Sequence, residues 1–143
     1  HQSSAASDVY KRQQYAHHAH HESESKQVAR AEDVMASFDA FDWNAQVAKA
    51  NELELCSPTL SVIRGSQDDM IWVSAIGEPN QISFVSEAHY PGEVPGFLGF
   101  GKKPGVIHQD TQWFSLQQAR EALALFVAKD YAALEQLYRS ATP

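Results

Sequence analysis

The chain has 143 residues, is 43% apolar, holds one cysteine and carries a formal net charge of −7. This length and composition predict one soluble domain with a hydrophobic core, and a single cysteine excludes both an intramolecular disulfide and a multi-cysteine zinc site. Because no apolar run approaches the roughly 20 residues that a membrane-spanning helix needs, we expect a cytoplasmic protein with no membrane partner.

The first 25 residues differ in composition from the rest. They are polar and rich in serine, and five of the seven histidines lie within residues 1–21. Such a composition cannot bury a core, so we predict a disordered lead or tag-like segment over 1–25 and a single α+β domain over 26–143. Histidines on a flexible segment fix no coordination geometry, and we expect neither a metal site nor a cofactor.

The acidic groups concentrate in the predicted domain. Residues 1–30 carry four basic and three acidic groups, which leaves seven basic and fifteen acidic groups, a balance of −8, on residues 31–143. This charge repels phosphates, so we expect no nucleic acid partner. It favours either a basic protein partner or simple solubility.

Helical spacing of apolar residues begins at Lys26 and continues to Ala48, with a break near 38–43. Asp42 stands at the break as an N-cap candidate, and the pattern predicts a second helix over 43–51. The segment is therefore two helices or one kinked helix.

Beyond Pro58, short runs of β-branched and aromatic residues are separated by turn signals. These runs predict strands over 59–64, 70–76 and 81–87. The turns between them are short, which suits antiparallel hairpins rather than parallel crossovers.

Glycine and proline interrupt residues 90–106 too often for a long regular strand. We predict short strands near 97–100 and 106–108, joined by a turn at 102–105. Gly96, Gly101 and Lys102 have the spacing of a phosphate-binding loop, but Lys103 occupies the position of its obligatory hydroxyl residue. A bent edge strand with a turn is the favoured interpretation.

Ser115 begins the clearest helix in the chain, with Gln118 at the capping-box position and apolar residues along one face. Asp130 is an N-cap candidate for a further helix whose apolar stripe reaches Tyr138. The whole pattern predicts an α+β fold, in which an antiparallel meander of four to five strands is packed on one face by N- and C-terminal helices.

No self-sufficient catalytic motif is present. His89, His108 and Asp110 offer an acid–base pair, yet nothing places a nucleophile such as Ser86 or Cys56 against either imidazole ring. We predict that the protein is not an enzyme. The alternative is a small enzyme or ligand-binding domain whose pocket lies between sheet and helices, near His89 and His108.

Trp72 belongs to a predicted strand whose alternation puts Met70, Trp72, Ser74 and Ile76 on one face. If helices cover only one face of the sheet, one set of alternating residues is left as a partly exposed apolar strip, which suits protein recognition. If both faces are covered, the same side chains belong to the core.

The helix over 114–126 reads Phe-Ser-Leu-Gln-Gln-Ala-Arg-Glu-Ala-Leu-Ala-Leu-Phe, and it follows an N-terminal helix, a meander and a glycine-bearing aromatic segment. In this layout residues 42–139 resemble the Imm1-like immunity proteins of bacterial toxin systems. The resemblance implies a cytoplasmic, non-enzymatic inhibitor that masks the active site of a cognate toxin. Such toxins are often nucleases or deaminases delivered by contact-dependent inhibition or type VI secretion.

For such an inhibitor we place the contact surface at the acidic hairpin turns and the aromatic residues near them. Acidic side chains would speed association with a basic toxin, and one or two aromatic anchors would slow dissociation. The predicted partner-binding residues are Asp68, Asp69, Trp72, Glu78, Glu87, Tyr90 and Glu93.

Overall fold

A single antiparallel sheet carries four helices on one of its faces in the computed structural model, which describes residues 9–15, 24–27, 31–54 and 56–143. The strands are β1 Val9–Gln14, β2 Glu24–Gln27, β3 Thr59–Arg64, β4 Ser66–Glu78, β5 Gln81–Pro95 and β6 Lys102–Phe114. The helices are α1 Ala31–Ala40, α2 Trp43–Leu53, α3 Leu116–Val127 and α4 Tyr131–Ser140. No helix in these described ranges is long and apolar enough to cross a membrane. The predicted α+β class is confirmed.

Strands β3 to β6 form the predicted meander, in which each strand pairs antiparallel with the next. The prediction for β3 matches its observed bounds, whereas β4 and β5 run well beyond the predicted 70–76 and 81–87. Their polar ends, such as Ser66–Asp69, lack the apolar alternation on which the prediction depended. Hydrogen bonding to a neighbouring strand extends β4 and β5 at these ends. A single sequence does not reveal which residues pair across two strands.

The prediction for residues 97–108 was wrong in detail. The turn lies at the 3₁₀ segment Phe97–Gly99, and residues 102–105 are part of β6. Pro104 is tolerated there because β6 is an edge strand, where a missing backbone N–H costs no ladder hydrogen bond. Gly92 and Gly105 face each other across the pair, and a Cβ on either would collide with the side chain of Ile107 or Val94.

Strand β1 pairs along the whole of β3, from Val9 opposite Arg64 to Gln14 opposite Thr59, and β2 pairs with β1. Both strands lie in or next to the segment predicted as a lead over 1–25, and the sequence did not predict them. Lys26, where a helix was predicted to begin, is in β2 instead, and α1 begins at Ala31. The division at residue 25 stays a prediction, and the five histidines of residues 1–21 lie outside the described residues.

The core lies between the sheet and the helices. Alternate residues of β3, β4 and β5 point into it, and Leu60, Val73 and Phe84 are completely buried. Phe38 of α1 and Trp43 of α2 pack against Phe84, with ring centroids 6.0 and 5.0 Å away. Burial of each such side chain contributes about 1.5 to 3 kcal/mol.

The helix ends follow the predicted signals. Ser115 and Gln118 form a complete capping box at the start of α3, in which each side chain bonds the backbone N–H of the other residue. Asp42 and Asp130 accept backbone N–H groups at the starts of α2 and α4. These three N-caps therefore fix where the helices begin, and hence which residues reach the sheet.

Candidate functional site

The face of the sheet that is turned away from the helices is the largest candidate surface. Side chains alternate across a strand, so the neighbours of the buried core residues point to this second face. No helix in the described part of the chain packs on it. We call it the open face, and its principal residues are Ile63, Met70, Trp72, Ile76, Val85, Glu87, His89, His108 and Asp110.

Trp72 lies near the centre of the open face. Its cross-strand neighbours are Ser61 on β3 and Glu87 on β5, and Asp110 on β6 continues the same row. Trp72 and Met70 are half-buried, as apolar side chains on an uncovered sheet face should be. An apolar strip with a polar border is typical of a protein recognition surface.

The next row of the open face brings two histidines together. His89 pairs in register with His108, and their ring centroids are 4.4 Å apart. The Nε2 atom of His89 lies 3.3 Å from Oε1 of Glu87, and Asp110 is the cross-strand neighbour of Glu87. These side chains and Gln109 line a surface depression of about 240 Å³.

The alternative prediction placed a pocket near His89 and His108 between the sheet and the helices, and this position is wrong. His89 and His108 lie on the open face, whereas the side chains that point toward the helices at this level are Ala88 and Tyr90. The two imidazole rings are nevertheless adjacent rather than apart. Within the described ranges, no group of three or more histidine, cysteine or acidic side chains is arranged to hold a metal ion.

Neither Ser86 nor Cys56, the two side chains considered as nucleophiles, faces the histidines. Ser86 points to the helix side, where its Oγ donates to the backbone carbonyl of Trp72 at 2.7 Å and lies 2.7 Å from the hydroxyl of Tyr138. Since the single proton of Ser86 is used by Trp72, Tyr138 donates to Ser86. Cys56 is buried and lines a separate depression of about 460 Å³ beside Trp72 and Ser74.

The seven predicted partner-binding residues do not form one cluster. Trp72 and Glu87 are direct cross-strand neighbours on the open face. Asp68 and Glu78 are exposed but lie ten positions apart along β4, about 33 Å at the usual rise of a strand. Glu93 is exposed further along β5, where this strand pairs only with β6.

Asp69 has a structural partner on the helix side. The guanidinium of Arg64 bonds both carboxylate oxygens of Asp69, at 3.0 and 3.2 Å. The same guanidinium donates to the backbone carbonyl of Phe126 and the hydroxyl of Tyr131, and it lies 4.2 Å from the centre of the Phe126 ring. Arg64 therefore holds the end of α3 and the start of α4 against the sheet.

Tyr90 also belongs to the core side, since only 4% of its surface is exposed. Its ring stacks on that of Tyr131 at 4.4 Å, and its hydroxyl accepts from Gln109. Burial raises the pKa of Tyr90, although the bond from Gln109 offsets part of the effect. In this structure Tyr90 supports the packing beneath β5 and β6 and presents little surface to a partner.

Sequence reasoning missed Asp110 as a member of the row with Trp72 and Glu87, and it missed the contact between the two histidines. Positions 87, 89, 108 and 110 come together only through the register between β5 and β6. That register depends on where the turn between the two strands lies, and the predicted position of this turn was wrong. A correct position for the turn at 96–101 would have given that register.

Comparison with known protein families, with curated proteins and with solved structures gave no match. The resemblance to toxin-immunity proteins therefore stays a prediction, and the site is argued from its geometry.

Proposed function

We propose that this protein binds a protein partner through the open face of its sheet, without catalysis. The observation that carries the proposal is the sheet face that no helix of the described residues covers, with Trp72 near its centre. Apolar groups that folding leaves partly exposed can be desolvated by a partner at little further entropic cost, because β-strands already hold them in place. Tryptophan is the residue type most often found among the energetic anchors of interfaces.

The charge of the open face supports a basic partner. Glu87 and Asp110 lie side by side next to Trp72, in a domain whose residues 31–143 carry a balance of −8. An acidic surface attracts a basic protein over several ångströms and raises the rate of encounter. The partner's positive groups would then pair with these two carboxylates.

Neutralisation of a bacterial toxin is the specific form of this proposal that the sequence resemblance supports. Toxins of the nuclease class hold nucleic acid through Lys and Arg, so their active-site surfaces are basic. An acidic face that docks over such a surface would exclude the nucleic acid by occupying its phosphate-binding groups. This form of the proposal depends on the resemblance, whereas the general form depends on the open face.

Affinity capture with the full chain tests the general proposal. Wild-type protein, a Trp72→Ala/Glu87→Lys variant and a helix-side control, Glu121→Lys, serve as parallel baits in lysate of the source cells. We expect one basic protein on the wild-type and control baits and its loss from the open-face variant. Equal recovery on all three baits would contradict binding through the open face.

The histidine pair supports a second candidate function. An imidazole 3.3 Å from a carboxylate, in a depression of about 240 Å³, has the geometry of a general base or a small-ligand site. A His89→Asn/His108→Asn variant separates the two functions, since it leaves Trp72 and the acidic pair in place. Loss of a small-ligand signal in thermal-shift screening, with partner capture intact, would favour this second function.

A further inference from the structure

Strands β5 and β6 continue past the rest of the meander as a two-stranded arm, defined here as residues 90–107. The last pair between β4 and β5 is Met70 with His89, but β5 and β6 stay paired as far as Pro95 with Lys102. The six further positions place the end of the arm about 20 Å past that last pair. Residues 96–101 close it, with the Gly96 N–H bonded to the Gly101 carbonyl.

The closed end of the arm, which we call the tip, presents three large apolar side chains to solvent. Phe97, Leu98 and Phe100 are 82%, 77% and 78% exposed. The other exposed large apolar residues of the described chain, such as Leu53 and Trp113, are exposed by less than half. Single exposed apolar side chains are ordinary on protein surfaces, but three nearly bare ones on one turn are not.

The backbone of the tip adds a second observation. Leu98 has a φ of 53°, in the left-handed region that turns normally fill with glycine or asparagine. A leucine at such a position is strained, and at 77% exposure it gains little packing in return. Neither folding nor solubility accounts for leucine here, which points to a role for its side chain outside the fold.

The charge at the tip is opposite to that of the whole molecule. Lys102 and Lys103 follow the apolar turn directly and are exposed, and residues 94–107 contain no acidic group. The nearest acid along the arm, Glu93, lies opposite Pro104 and next to the Val94–Lys103 pair, so it offsets one of the two lysine charges and leaves the end of the arm with a net charge of +1. Glu87 on the open face is about 30 Å from the tip, well beyond the roughly 8 Å over which charges act in physiological salt.

We propose that the tip inserts into the headgroup layer of a bilayer that contains anionic lipid. Phe97, Leu98 and Phe100 would enter the boundary of the acyl chains, and Lys102 and Lys103 would lie among the lipid phosphates. Shallow apolar insertion together with a basic pair supplies the two signals that stable membrane association needs. This contact requires no spanning helix, so it is compatible with the helix lengths of the fold.

Exposure on all sides favours lipid over a protein pocket as the occupant. Each of the three side chains is more than three-quarters bare, so an occupant must surround the tip instead of covering one flank. A fluid acyl layer does so without a preformed cavity. The paired lysines match the charge of an anionic lipid surface, to which each adds about a fivefold gain in partitioning.

Vesicle sedimentation of the full chain tests the proposal, with phosphatidylcholine vesicles that either contain or lack phosphatidylglycerol. We expect wild-type protein to sediment with the anionic vesicles. A Phe97→Ser/Leu98→Ser/Phe100→Ser variant should lose about tenfold or more in partitioning, because the tip then has no apolar group to insert. A Lys102→Gln/Lys103→Gln variant should lose roughly fivefold per lysine on anionic vesicles and little on neutral ones.

Two matched variants control for general effects. Leu53→Ser removes an exposed apolar side chain outside the arm, and Lys49→Gln/Lys129→Gln removes two exposed lysines. Both should bind like wild type, and circular dichroism should show the same fold for every variant. Wild-type protein that stays in the supernatant, or tip variants that bind as wild type does, would overturn the proposal. Loss of a captured protein from the tip variant without any vesicle binding would assign the tip to a protein partner instead.

Discussion

Arg64 shows how one side chain joins elements that are far apart in the sequence. Its guanidinium satisfies a carboxylate at the end of the β3–β4 hairpin, a carbonyl at the end of α3 and a hydroxyl at the start of α4. The Arg64 side chain is 11% exposed and that of Asp69 is 21% exposed, so the pair is shielded from most solvent screening. The planar guanidinium group of arginine has five N–H donors, so it fits these acceptors better than the ammonium group of a lysine would.

We therefore expect Arg64→Ala to lower the free energy of unfolding by about 2 to 4 kcal/mol, because it leaves Asp69 charged and without its partner. Urea denaturation measures the change. Arg120→Ala is the matched control, since Arg120 makes the same two-bond contact with Asp39 on the exposed surface of α3 and α1. Equal losses for the two variants would show that Arg64 contributes no more than a surface ion pair.

The same contact changes the choice of variants for partner binding. Charge reversal at Asp68 and Asp69 together would disturb the Arg64 contact along with any partner surface. Reversal at Glu87 and Asp110 changes the open face alone.

Tyr138 is a buried titratable side chain whose pKa departs strongly from its usual value. Burial raises the pKa of its hydroxyl well above 10, and the bond with Ser86 offsets part of the effect. In the unfolded chain the tyrosine pKa is near 10. Above that pH the unfolded state releases a proton that the folded state keeps, so the unfolded state binds fewer protons and stability must fall as the pH rises.

We expect Tyr138→Phe to cost about 1 kcal/mol at neutral pH, because Ser86 keeps its bond to the carbonyl of Trp72 and loses only the one from Tyr138. Above pH 10 the variant should lose stability less steeply than wild type, by up to about 1.4 kcal/mol per pH unit. Urea denaturation at several alkaline pH values measures the slope. Parallel slopes for the two proteins would rule out Tyr138 as a source of the alkaline loss.

At the scale of elements, the N-caps were the most predictable feature. Ser115, Asp42 and Asp130 each act on the residue three positions away, so the sequence contains the whole interaction. Ser115→Ala should lower the free energy of unfolding by about 1 kcal/mol, because the backbone N–H of Gln118 in the first turn of α3 loses its partner. Ser140→Ala, at the other end of the helix pair, should change little. Equal chemical denaturation midpoints for both variants would contradict a capping contribution.

The strands were less predictable than the helices, for a physical reason. A strand ends where its partner ends, and partners such as β1 and β3 are about 50 residues apart in the chain. The composition of β1 is polar, so nothing in the sequence indicated a strand there. Pairing with the edge of β3 stabilises β1 instead. In the arm, glycine and proline were interpreted as breakers, although two strands with free edges accommodate both residue types.

At the scale of the molecule, the sequence predicted one layer of helices on one face of a meander. That arrangement is confirmed, and it leaves the strip around Trp72 without a covering helix from the described residues. The sequence did not predict which residues would share that strip, because the turn at 96–101 sets the register of β5 with β6 and the predicted turn was at 102–105. Asp69 and Tyr90 are of residue types that are common in binding surfaces, but both point to the core side.

The charge of the molecule leads to a kinetic prediction for the captured partner. Electrostatic attraction raises the association rate and leaves the dissociation rate nearly unchanged. A Glu87→Lys/Asp110→Lys variant should associate about tenfold more slowly than wild type at low salt, and the difference should shrink as salt is added. Stopped-flow mixing measures both rates. A difference that does not depend on salt would mean that these carboxylates act through direct contact alone.

The open face, with Trp72 as its anchor, is the surface through which we propose that the protein binds its partner. Isothermal titration of the purified partner into wild-type protein, Trp72→Ala and the helix-side control Glu121→Lys tests it most directly. We expect the control to bind as wild type does and Trp72→Ala to lose at least about 2 kcal/mol of binding free energy, roughly a thirtyfold weaker Kd. Equal affinities for wild type and Trp72→Ala, with both proteins folded, would contradict the claim and assign binding to another surface.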